Sequence, residues 1–456
     1  MAEQWVWDPP ELEVLDLHNE EDFASFIDRY FKVMEGGEAL TRILEVVARG
    51  EGVRCFVERD YIDQDYRDEF ANFYSKTYRP HLDRCQRLHF LTAEDGYVGY
   101  VVLRPIPGRL ISRTMIAPPP ELRNFITCTA TEIASPHGGC FPITAAPFIS
   151  QDFQYGVCAH AAIWMVAQYF HLRFGSRRLH MSDVVKATES RPGRHPMTPS
   201  RGLTAGQLCG ALDSLGFLQD SYRLVNEEQR QDAEERARCY LNSGIPLILS
   251  RGRHAQVLVG YCHDEKTGDR IYLAQDDLKG PYRPVESGLQ IGDLLVIPSP
   301  GRIYLDPAAA QDAAKFNFDA LMETESVAEK IHQIAGAVVQ LRSYVTQIAD
   351  YRTGLIERGV APDARTFINL TSGSHWVWVV ELQDSLEAEL GRRCVIGEMV
   401  IDATTDERST HVLMGLMPGH VYRWREPKRF EESQACGQTE LYDSGCAIHS
   451  SALHGL

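Results

Sequence analysis

A run of apolar residues directly after one cysteine is the feature that most constrains the fold of this chain. The stretch SQDFQYGVCAHAAIWMVAQYFH spans residues 150–171, and its apolar part begins at Cys158. Apolar side chains then recur at the i, i+3, i+4 and i+7 spacing of one helix face, at Ala162, Met165, Val166 and Tyr169. This pattern predicts a helix packed into a core. A thiol at the N-terminus of such a helix lies in a positive field that favours thiolate, whereas a thiol inside a core is only a small apolar group.

Length, charge and cysteine usage narrow the class of protein. The 456 residues suggest two to four domains, and no apolar run is long enough for a transmembrane helix. The N-terminus is acidic and lacks a signal-peptide core, so we expect a cytoplasmic protein. The net charge of −17 disfavours nonspecific binding to nucleic acid or to anionic membranes. The eleven cysteines form no CxxC pair, which favours reduced thiols over a disulfide framework.

The pattern of elements predicts an α+β protein with a central domain and two accessory domains. We expect an N-terminal α+β domain over residues 1–130, a central domain over 131–300, a C-terminal α+β domain over 301–425 and a polar tail over 426–456. The central domain places helices first and strands second. In the C-terminal domain, VAEKIHQIAGAVVQLRSYVTQI (327–348) predicts a long helix, and TFINL (366–370) predicts a strand.

Two later segments of the central domain carry residues that suit a thiol nucleophile. His254 opens a strand on which Ala255, Val257 and Val259 alternate with more polar positions. Asp276 and Asp277 end the following strand, where a carboxylate can orient an imidazole. Each feature alone has an ordinary structural interpretation, as a half-exposed strand histidine or as an acidic turn. The combination of cysteine, histidine and aspartate in this order indicates thiol catalysis.

The order of these segments resembles the papain-like cysteine peptidases, in particular the branch of bacteriocin-processing peptidases that cleave after double glycine. The stretches that carry the resemblance are FISQDFQYGVCAHAAIWMVAQYF, SGIPLIL, HAQVLVGY and IYLAQDDLKG, within residues 145–297. The resemblance implies a papain-like fold for the central domain, with helical and antiparallel sheet halves. It also implies Cys158 as the nucleophile, His254 as the base, Asp276 as the orienting carboxylate and Gln151 as the oxyanion donor.

Two departures from the family pattern keep alternatives open. Gln151 lies seven residues before Cys158, one more than is usual in the family, so Gln154 is a rival donor. The residue after the cysteine is Ala159, where the family has glycine or tryptophan. Asp277 is likewise a rival to Asp276 as the orienting carboxylate.

A second constellation lies in the C-terminal region. The stretches GSHWVWVVEL and GEMVIDATTD resemble the histidine and aspartate segments of transglutaminase-like folds, and would be carried by His375 and Asp402. No comparable cysteine lies shortly before His375, so His254 is the favoured partner of Cys158. The spacing of Cys436, Cys446, His449 and His454 fits no common zinc finger. We expect no metal and no organic cofactor.

The sequence therefore predicts a cysteine peptidase or isopeptidase that uses a Cys-His-Asp triad on a protein or peptide substrate, with no nucleic-acid or membrane partner. Two alternatives remain. One is an acyl-transfer enzyme, an amidase or a transglutaminase-like enzyme, that uses the same cysteine. The other is a catalytically inactive papain-like binding module. The substrate and the oligomeric state are not encoded in any motif that we recognise.

Overall fold

The computed structural model shows a mixed α+β protein of helices and antiparallel sheets. It describes residues 13–17, 25, 37–48, 53–92, 96–106, 110–188, 202–263, 270–285, 287–323, 325–334, 339–390, 392–406, 411–426 and 429–446. The chain forms two compact units. The first contains residues 1–225, 246–261 and 270–300, and the second contains 226–245, 262–269 and 301–456. The predicted boundaries near residues 130, 300 and 425 stay predictions.

The first unit begins with a five-stranded antiparallel sheet in sequence order. Its strands are β1 (Glu13–Leu17), β2 (Val53–Tyr61), β3 (Cys85–Thr92), β4 (Tyr97–Leu103) and β5 (Ile111–Ile116). Two helices accompany the sheet, α1 (Gly37–Ala48) and α2 (Gln64–Asn72). The stretches RLHFLTA (87–93) and YVGYVVLRP (97–105) predict two strands around a turn, and these strands correspond to β3 and β4. The apolar spacing of FASFIDRYFKVM (23–34) predicts a helix, but this stretch lies outside the described residues, apart from residue 25.

The same unit holds a hairpin, a helical group and a second sheet. The hairpin consists of β6 (Ala130–Ala134) and β7 (Phe141–Ala145). The helices are α3 (Cys158–Phe174), α4 (Met181–Ala187) and α5 (Ala205–Ser214). The strands are β8 (Leu218–Arg223), β9 (Leu247–Arg251), β10 (His254–His263), β11 (Arg270–Asp276), β12 (Gly280–Val285) and β13 (Leu294–Ser299), in the sheet order β12-β11-β10-β9-β13-β8.

A close backbone crossing fixes strand β10 against the segment before the hairpin. Ile126 forms an isolated antiparallel bridge with Gly260, and Tyr261 donates its backbone N–H to the Phe125 carbonyl. A Cβ at residue 260 would lie 1.8 Å from that carbonyl oxygen, so only glycine fits there. The strand that begins with His254 is therefore anchored at its far end.

The second unit is an antiparallel meander with helices. Its strands are β14 (Val339–Gln347), β15 (Trp376–Asp384), β16 (Val395–Asp402), β17 (Val412–Met417), β18 (His420–Glu426) and β19 (Arg429–Ala435), in sequence order. Its helices are α6 (Glu227–Asn242), α7 (Pro307–Met322), α8 (Glu325–Ile334), α9 (Ile348–Gly354), α10 (Pro362–Leu370) and α11 (Ser385–Glu389). Strand β19 occupies part of the predicted polar tail.

Two element predictions in this unit are wrong. The predicted helix over 327–348 is a helix only as α8, and its second half is strand β14, which pairs along its whole length with β15. The apolar spacing there suits both periods, and pairing with a neighbouring strand decides the outcome. The predicted strand at 366–370 belongs to helix α10, which begins at Pro362 and buries Ala364, Phe367 and Ile368 on one face. The apolar run at residues 366–370 is too short to distinguish a helix from a strand.

Among the residues that the structure describes, no helix has the length and apolar character needed to cross a bilayer.

Candidate active site

Cys158 is the first residue of helix α3. Residues 159–170 of the helix are all buried, and the helix ends at Phe174, followed by Gly175 in the left-handed conformation of a C-cap with φ 68°. The cysteine itself is half-exposed, and its Sγ lies 3.9 Å from the backbone carbonyl oxygen of Arg253. The sequence thus places a reachable thiol at the N-terminus of a helix whose body is immobilised in the core.

A neutral histidine holds the start of this helix. The buried His160 ring accepts the backbone N–H of Val157 at Nδ1 over 3.2 Å, and its Nε2 lies 2.9 Å from the Thr188 hydroxyl oxygen. Thr188 in turn donates to the Val185 carbonyl. Burial lowers the pKa of His160 to about 4, so the ring stays neutral and keeps the acceptor that Val157 requires. No motif in the sequence marks His160 as part of the site.

The loop before the cysteine is organised by a buried aspartate. Asp152 Oδ1 accepts the backbone N–H groups of Gln154, Tyr155 and Gly156 at 3.0, 3.0 and 2.7 Å. The Tyr74 hydroxyl donates to its other oxygen, Oδ2. Because this Asx-type turn fixes the loop, Gln151 is buried whereas Gln154 is exposed to solvent.

His254 is placed by a two-residue hairpin turn. Arg251 of β9 pairs with His254 of β10, which leaves only Gly252 and Arg253 in the loop. Gly252 has φ 61° and Arg253 has no positive φ, the pattern of a type II′ turn with glycine at its first central position. The carbonyl of Arg253 faces the Cys158 sulfur, so the same turn brings the thiol beside the histidine.

The His254 ring lies beside both the thiol and a carboxylate. Its Nε2 lies 3.0 Å from Asp276 Oδ1, although the ring N–H is not aligned with that oxygen, and the Cys158 side chain lies close enough to the ring to raise its pKa. Burial lowers the pKa of His254, but the hydrogen bonds and the charges of Asp276 and Asp277 outweigh this effect and raise the pKa to about 10. The imidazole is therefore protonated at neutral pH and lies beside the thiol.

The two adjacent carboxylates differ in their environment. Asp276 Oδ1 also accepts the backbone N–H groups of Leu278 and Lys279, each at 3.0 Å. Burial raises the pKa of Asp276, but the hydrogen bond and charge of His254 together with these backbone donors hold it below 3.8. Asp277 lies 3.8 Å from His254 Nε2.

Asp277 is almost fully buried, and this burial raises its pKa to about 7. Its own backbone N–H and that of Gln151 lie close enough to lower the pKa in part, but neither carboxylate oxygen has a well-aligned hydrogen-bond donor. Because the Gln151 N–H lowers the pKa of Asp277, the backbone of Gln151 lies beside the histidine-aspartate pair.

The same three side chains could be considered as a metal site. His254, Asp276 and Asp277 each offer one potential ligand atom, and these atoms lie within 4.8 Å of one another. A cation at these atoms would have to displace the proton that the imidazole carries, because the pKa of His254 is raised to about 10.

The structure thus brings together four of the residues singled out from the sequence, Cys158, His254, Asp276 and Asp277, together with the backbone of Gln151. Gln154 contributes its backbone N–H to the Asx turn and leaves its side chain in solvent. The residues that sequence reasoning missed are Asp152, His160 and Tyr74. The first has a local signal, an aspartate just before a Tyr-Gly turn, whereas the tyrosine lies 78 residues away from it in the chain.

The rival constellation has a different arrangement. His375 is exposed at the bend before β15. Asp402 Oδ1 accepts the backbone N–H and the hydroxyl of Thr404 at 2.8 and 2.6 Å, so this carboxylate is used in a turn at the end of β16. The histidine whose pKa is raised by the nearby Cys158 side chain is His254.

Comparisons with known proteins give little further guidance. No protein-family model matches the chain, and no curated protein matches it. One of the solved structures that matches is UfSP from C. elegans, with 16% sequence identity and a TM-score of 0.26. The aligned region covers 34% of this chain and 33% of that chain, so this chain matches about a third of the length of its structural neighbour.

Proposed function

We propose that this chain is a thiol hydrolase that cleaves a peptide or isopeptide bond in a protein or peptide substrate. Cys158 is the nucleophile, His254 the proton donor and acceptor, Asp276 the carboxylate that orients the imidazole, and Gln151 the oxyanion donor. The observation that carries the proposal is the position of His254, which lies 3.0 Å from Asp276 and directly follows Arg253, whose carbonyl oxygen lies 3.9 Å from the Cys158 sulfur. A buried carboxylate beside an imidazole that lies next to a half-exposed thiol is the arrangement that thiol catalysis needs.

The reaction follows from the charges in the site. The protonated imidazole of His254 stabilises the Cys158 thiolate beside it, and the positive field at the N-terminus of α3 adds to this effect. The sulfur attacks the substrate carbonyl carbon, and the C–N bond breaks as His254 gives its proton to the leaving amine. The imidazole then takes a proton from water, which hydrolyses the thioester and returns the free thiol.

The papain-like arrangement of residues 131–300 is part of this proposal. Its support is the sequence order of the motifs together with the geometry of the site. The central residues come from a helix N-terminus, a hairpin strand and the end of the next strand, as the resemblance implies. The accessory regions are proposed to supply substrate specificity, because loops and added domains usually carry it.

The proposal is tested with a small activated ester and with peptides. The purified full chain is mixed with 4-nitrophenyl acetate, and the release of 4-nitrophenolate is followed while mass spectrometry locates the acetyl group. We expect a burst and a thioester on Cys158, both absent from Cys158→Ala. A peptide library digested by the wild type and by Cys158→Ala then reports new termini.

Three outcomes separate the function classes. Acetylation of Cys158 with new peptide termini supports a peptidase. Acetylation with products formed only when an amine acceptor is added would replace the hydrolase with an acyl-transfer enzyme. An unmodified Cys158 in the ester experiment would overturn the proposal and leave the inactive binding module.

A further inference from the structure

The Tyr74 side chain lies at the point where the N-terminal segment meets the loop that precedes the nucleophile. Tyr74 is 1% exposed and follows helix α2, far from the catalytic motifs in sequence. We propose that Tyr74 is a positioning residue for Gln151, which it holds in place through Asp152. This inference rests on the proposed function, because it assigns Tyr74 a part in the oxyanion stabilisation required there.

The first step concerns Asp152, which is the hub of the loop. One of its oxygens accepts three successive backbone N–H groups, those of Gln154, Tyr155 and Gly156. The other oxygen accepts the Tyr74 hydroxyl. The phenol therefore adds a fourth hydrogen bond on the opposite side of the carboxylate and ties this loop to the segment that follows α2. Gln151 is the residue directly before this aspartate, so anchoring Asp152 restricts where the Gln151 backbone lies.

The second step concerns the other neighbour of Gln151. Arg104 Nη2 donates to the backbone carbonyl of Ser150 over 2.7 Å, and its Nη1 lies 3.2 Å from Glu69 Oε2. Both of these ionic side chains are 1% exposed. Side chains from residues 69–104 therefore hold the residues on each side of Gln151. None of the catalytic motifs recognised in the sequence lies in this segment.

The third step concerns the state of the phenol. Burial raises the pKa of Tyr74, and the negative charge of Asp152 raises it further, so the hydroxyl stays protonated and donates throughout the working pH range. The neighbouring Phe73 ring stacks on Tyr155 at a centroid distance of 5.1 Å and an interplanar angle of 12°. The contact between the two segments thus has an apolar part beside the polar one, and Tyr74→Phe removes only the hydroxyl.

Two reactions of the same thiol distinguish this role from simple support of the fold. Iodoacetamide alkylates a thiolate by displacing iodide and forms no oxyanion. With 4-nitrophenyl acetate, the thiolate adds to the carbonyl, the C–O bond breaks and 4-nitrophenolate leaves, so an oxyanion must be stabilised on the way. Loss of one oxyanion donor costs about 10²–10³ in turnover, and a displaced donor should cost part of that. Tyr74→Phe should therefore slow acetylation at least roughly tenfold and leave alkylation of Cys158 unchanged.

Tyr66→Phe is the matched control. Tyr66 is a buried tyrosine of the same core cluster, and its hydroxyl donates to the Leu82 carbonyl over 2.7 Å. The control should retain wild-type rates in both reactions. Asp152→Asn provides a second variant, because its Oδ1 keeps the three backbone donors while the acceptor for Tyr74 is lost, and it should reproduce the selective defect if Tyr74→Phe fails to fold.

The outcomes separate the two proposals. A selective loss of acetylation in the Tyr74 and Asp152 variants supports the positioning role. Equal losses in both reactions, or wild-type acetylation in a folded Tyr74→Phe protein, would overturn it while the proposed function stands. If the wild type itself is alkylated at Cys158 but never acetylated, the proposed function fails and the positioning role fails with it.

Discussion

Nε2 of His254 lies 3.0 Å from Oδ1 of Asp276, and the Cys158 side chain lies close enough to the same ring to raise its pKa. The contact with the carboxylate occupies one ring nitrogen, so we expect the other, Nδ1, to face the sulfur. The histidine is placed by a two-residue turn and the aspartate by the end of the next strand. The relationship is therefore built from backbone geometry that single side-chain substitutions should leave intact.

The first prediction concerns the reactivity of the thiols. Cys158 should react with iodoacetamide at pH 6 at least roughly tenfold faster than Cys140, because the imidazolium of His254 and the N-terminus of α3 stabilise negative charge on the attacking sulfur. Cys140 is exposed and serves as an internal reference, whereas burial raises the pKa of Cys209 and of Cys436. Brief labelling followed by peptide mass spectrometry gives each rate.

His254→Gln is the matched control for this measurement. It removes the imidazolium and should bring the rate at Cys158 close to that of Cys140 at the same pH. Faster labelling of Cys140 than of Cys158 in the wild type would contradict the assignment of the nucleophile.

The second prediction concerns the two carboxylates and the pH dependence of stability. Burial raises the pKa of Asp277 from 3.8 to about 7. Between these pH values the folded protein keeps a proton on Asp277 that the unfolded chain releases. The contribution of protonated Asp277 to the free energy of unfolding is therefore lost as pH rises from 3.8 to 7. The pKa of Asp276 is lowered despite its burial, chiefly by His254, so its contribution is present above 3.8 and is lost as pH falls.

Denaturant unfolding of the wild type, Asp276→Asn and Asp277→Asn between pH 3 and 7 tests this pair. The free energy of unfolding of the wild type relative to Asp277→Asn should decrease from pH 4 to pH 7. Relative to Asp276→Asn it should increase from pH 3 to pH 5. Two difference curves that slope in the same direction would show that the environments of the carboxylates are assigned wrongly.

The third prediction concerns the two glutamines. Gln151→Ala should slow acetylation by 4-nitrophenyl acetate about 10²–10³-fold, the usual cost of removing an oxyanion donor, and should leave alkylation near the wild-type rate. Gln154→Ala should have little effect on either reaction, because its side chain is exposed and only its backbone N–H is used. If Gln154→Ala proves the damaging variant, the donor is assigned to the wrong residue.

The central residues were predictable because each lies at a recognisable point of one local element. A cysteine before an apolar helical run, a histidine after a Gly-Arg turn and an aspartate at a strand end are all visible in short windows. Their assembly in space depended on the resemblance, since no local rule brings residue 158 to residue 254. Their catalytic roles stay predictions.

The supporting contacts were not predictable for a physical reason. Tyr74 and Asp152 meet across 78 residues, and neither has a sequence context that distinguishes it from an ordinary buried tyrosine or a turn aspartate. Strand β14 shows the same limit of sequence-based prediction. Its apolar residues fit a helical period as well as a strand period, and the pairing with β15 makes the segment a strand. Tertiary contacts decided both cases.

The fourth prediction concerns the transglutaminase-like alternative. His375→Ala should leave alkylation and acetylation of Cys158 unchanged, since His375 is exposed and the Asp402 carboxylate is engaged by Thr404. His254→Ala should slow both reactions. A loss of activity in a folded His375→Ala protein, with wild-type activity in His254→Ala, would favour the alternative pairing of Cys158.

The last prediction concerns the cap of the nucleophile helix. His160→Ala removes the acceptor of the Val157 N–H and the partner of the Thr188 hydroxyl, so it should lower the free energy of unfolding by about 1–3 kcal/mol. His160→Gln restores an acceptor in part and should recover some of this loss.

The pH dependence of this contribution follows from the pKa of His160, which burial lowers from 6.5 to about 4. As pH falls between those values, the unfolded chain takes up a proton on this histidine and the folded protein does not. The stabilising contribution is therefore present above pH 6.5 and is lost toward pH 4, and urea unfolding should show a larger advantage of the wild type over His160→Gln at pH 7 than at pH 5. An advantage that stays constant, or that grows toward pH 5, would mean that the ring is not held neutral at the start of the helix.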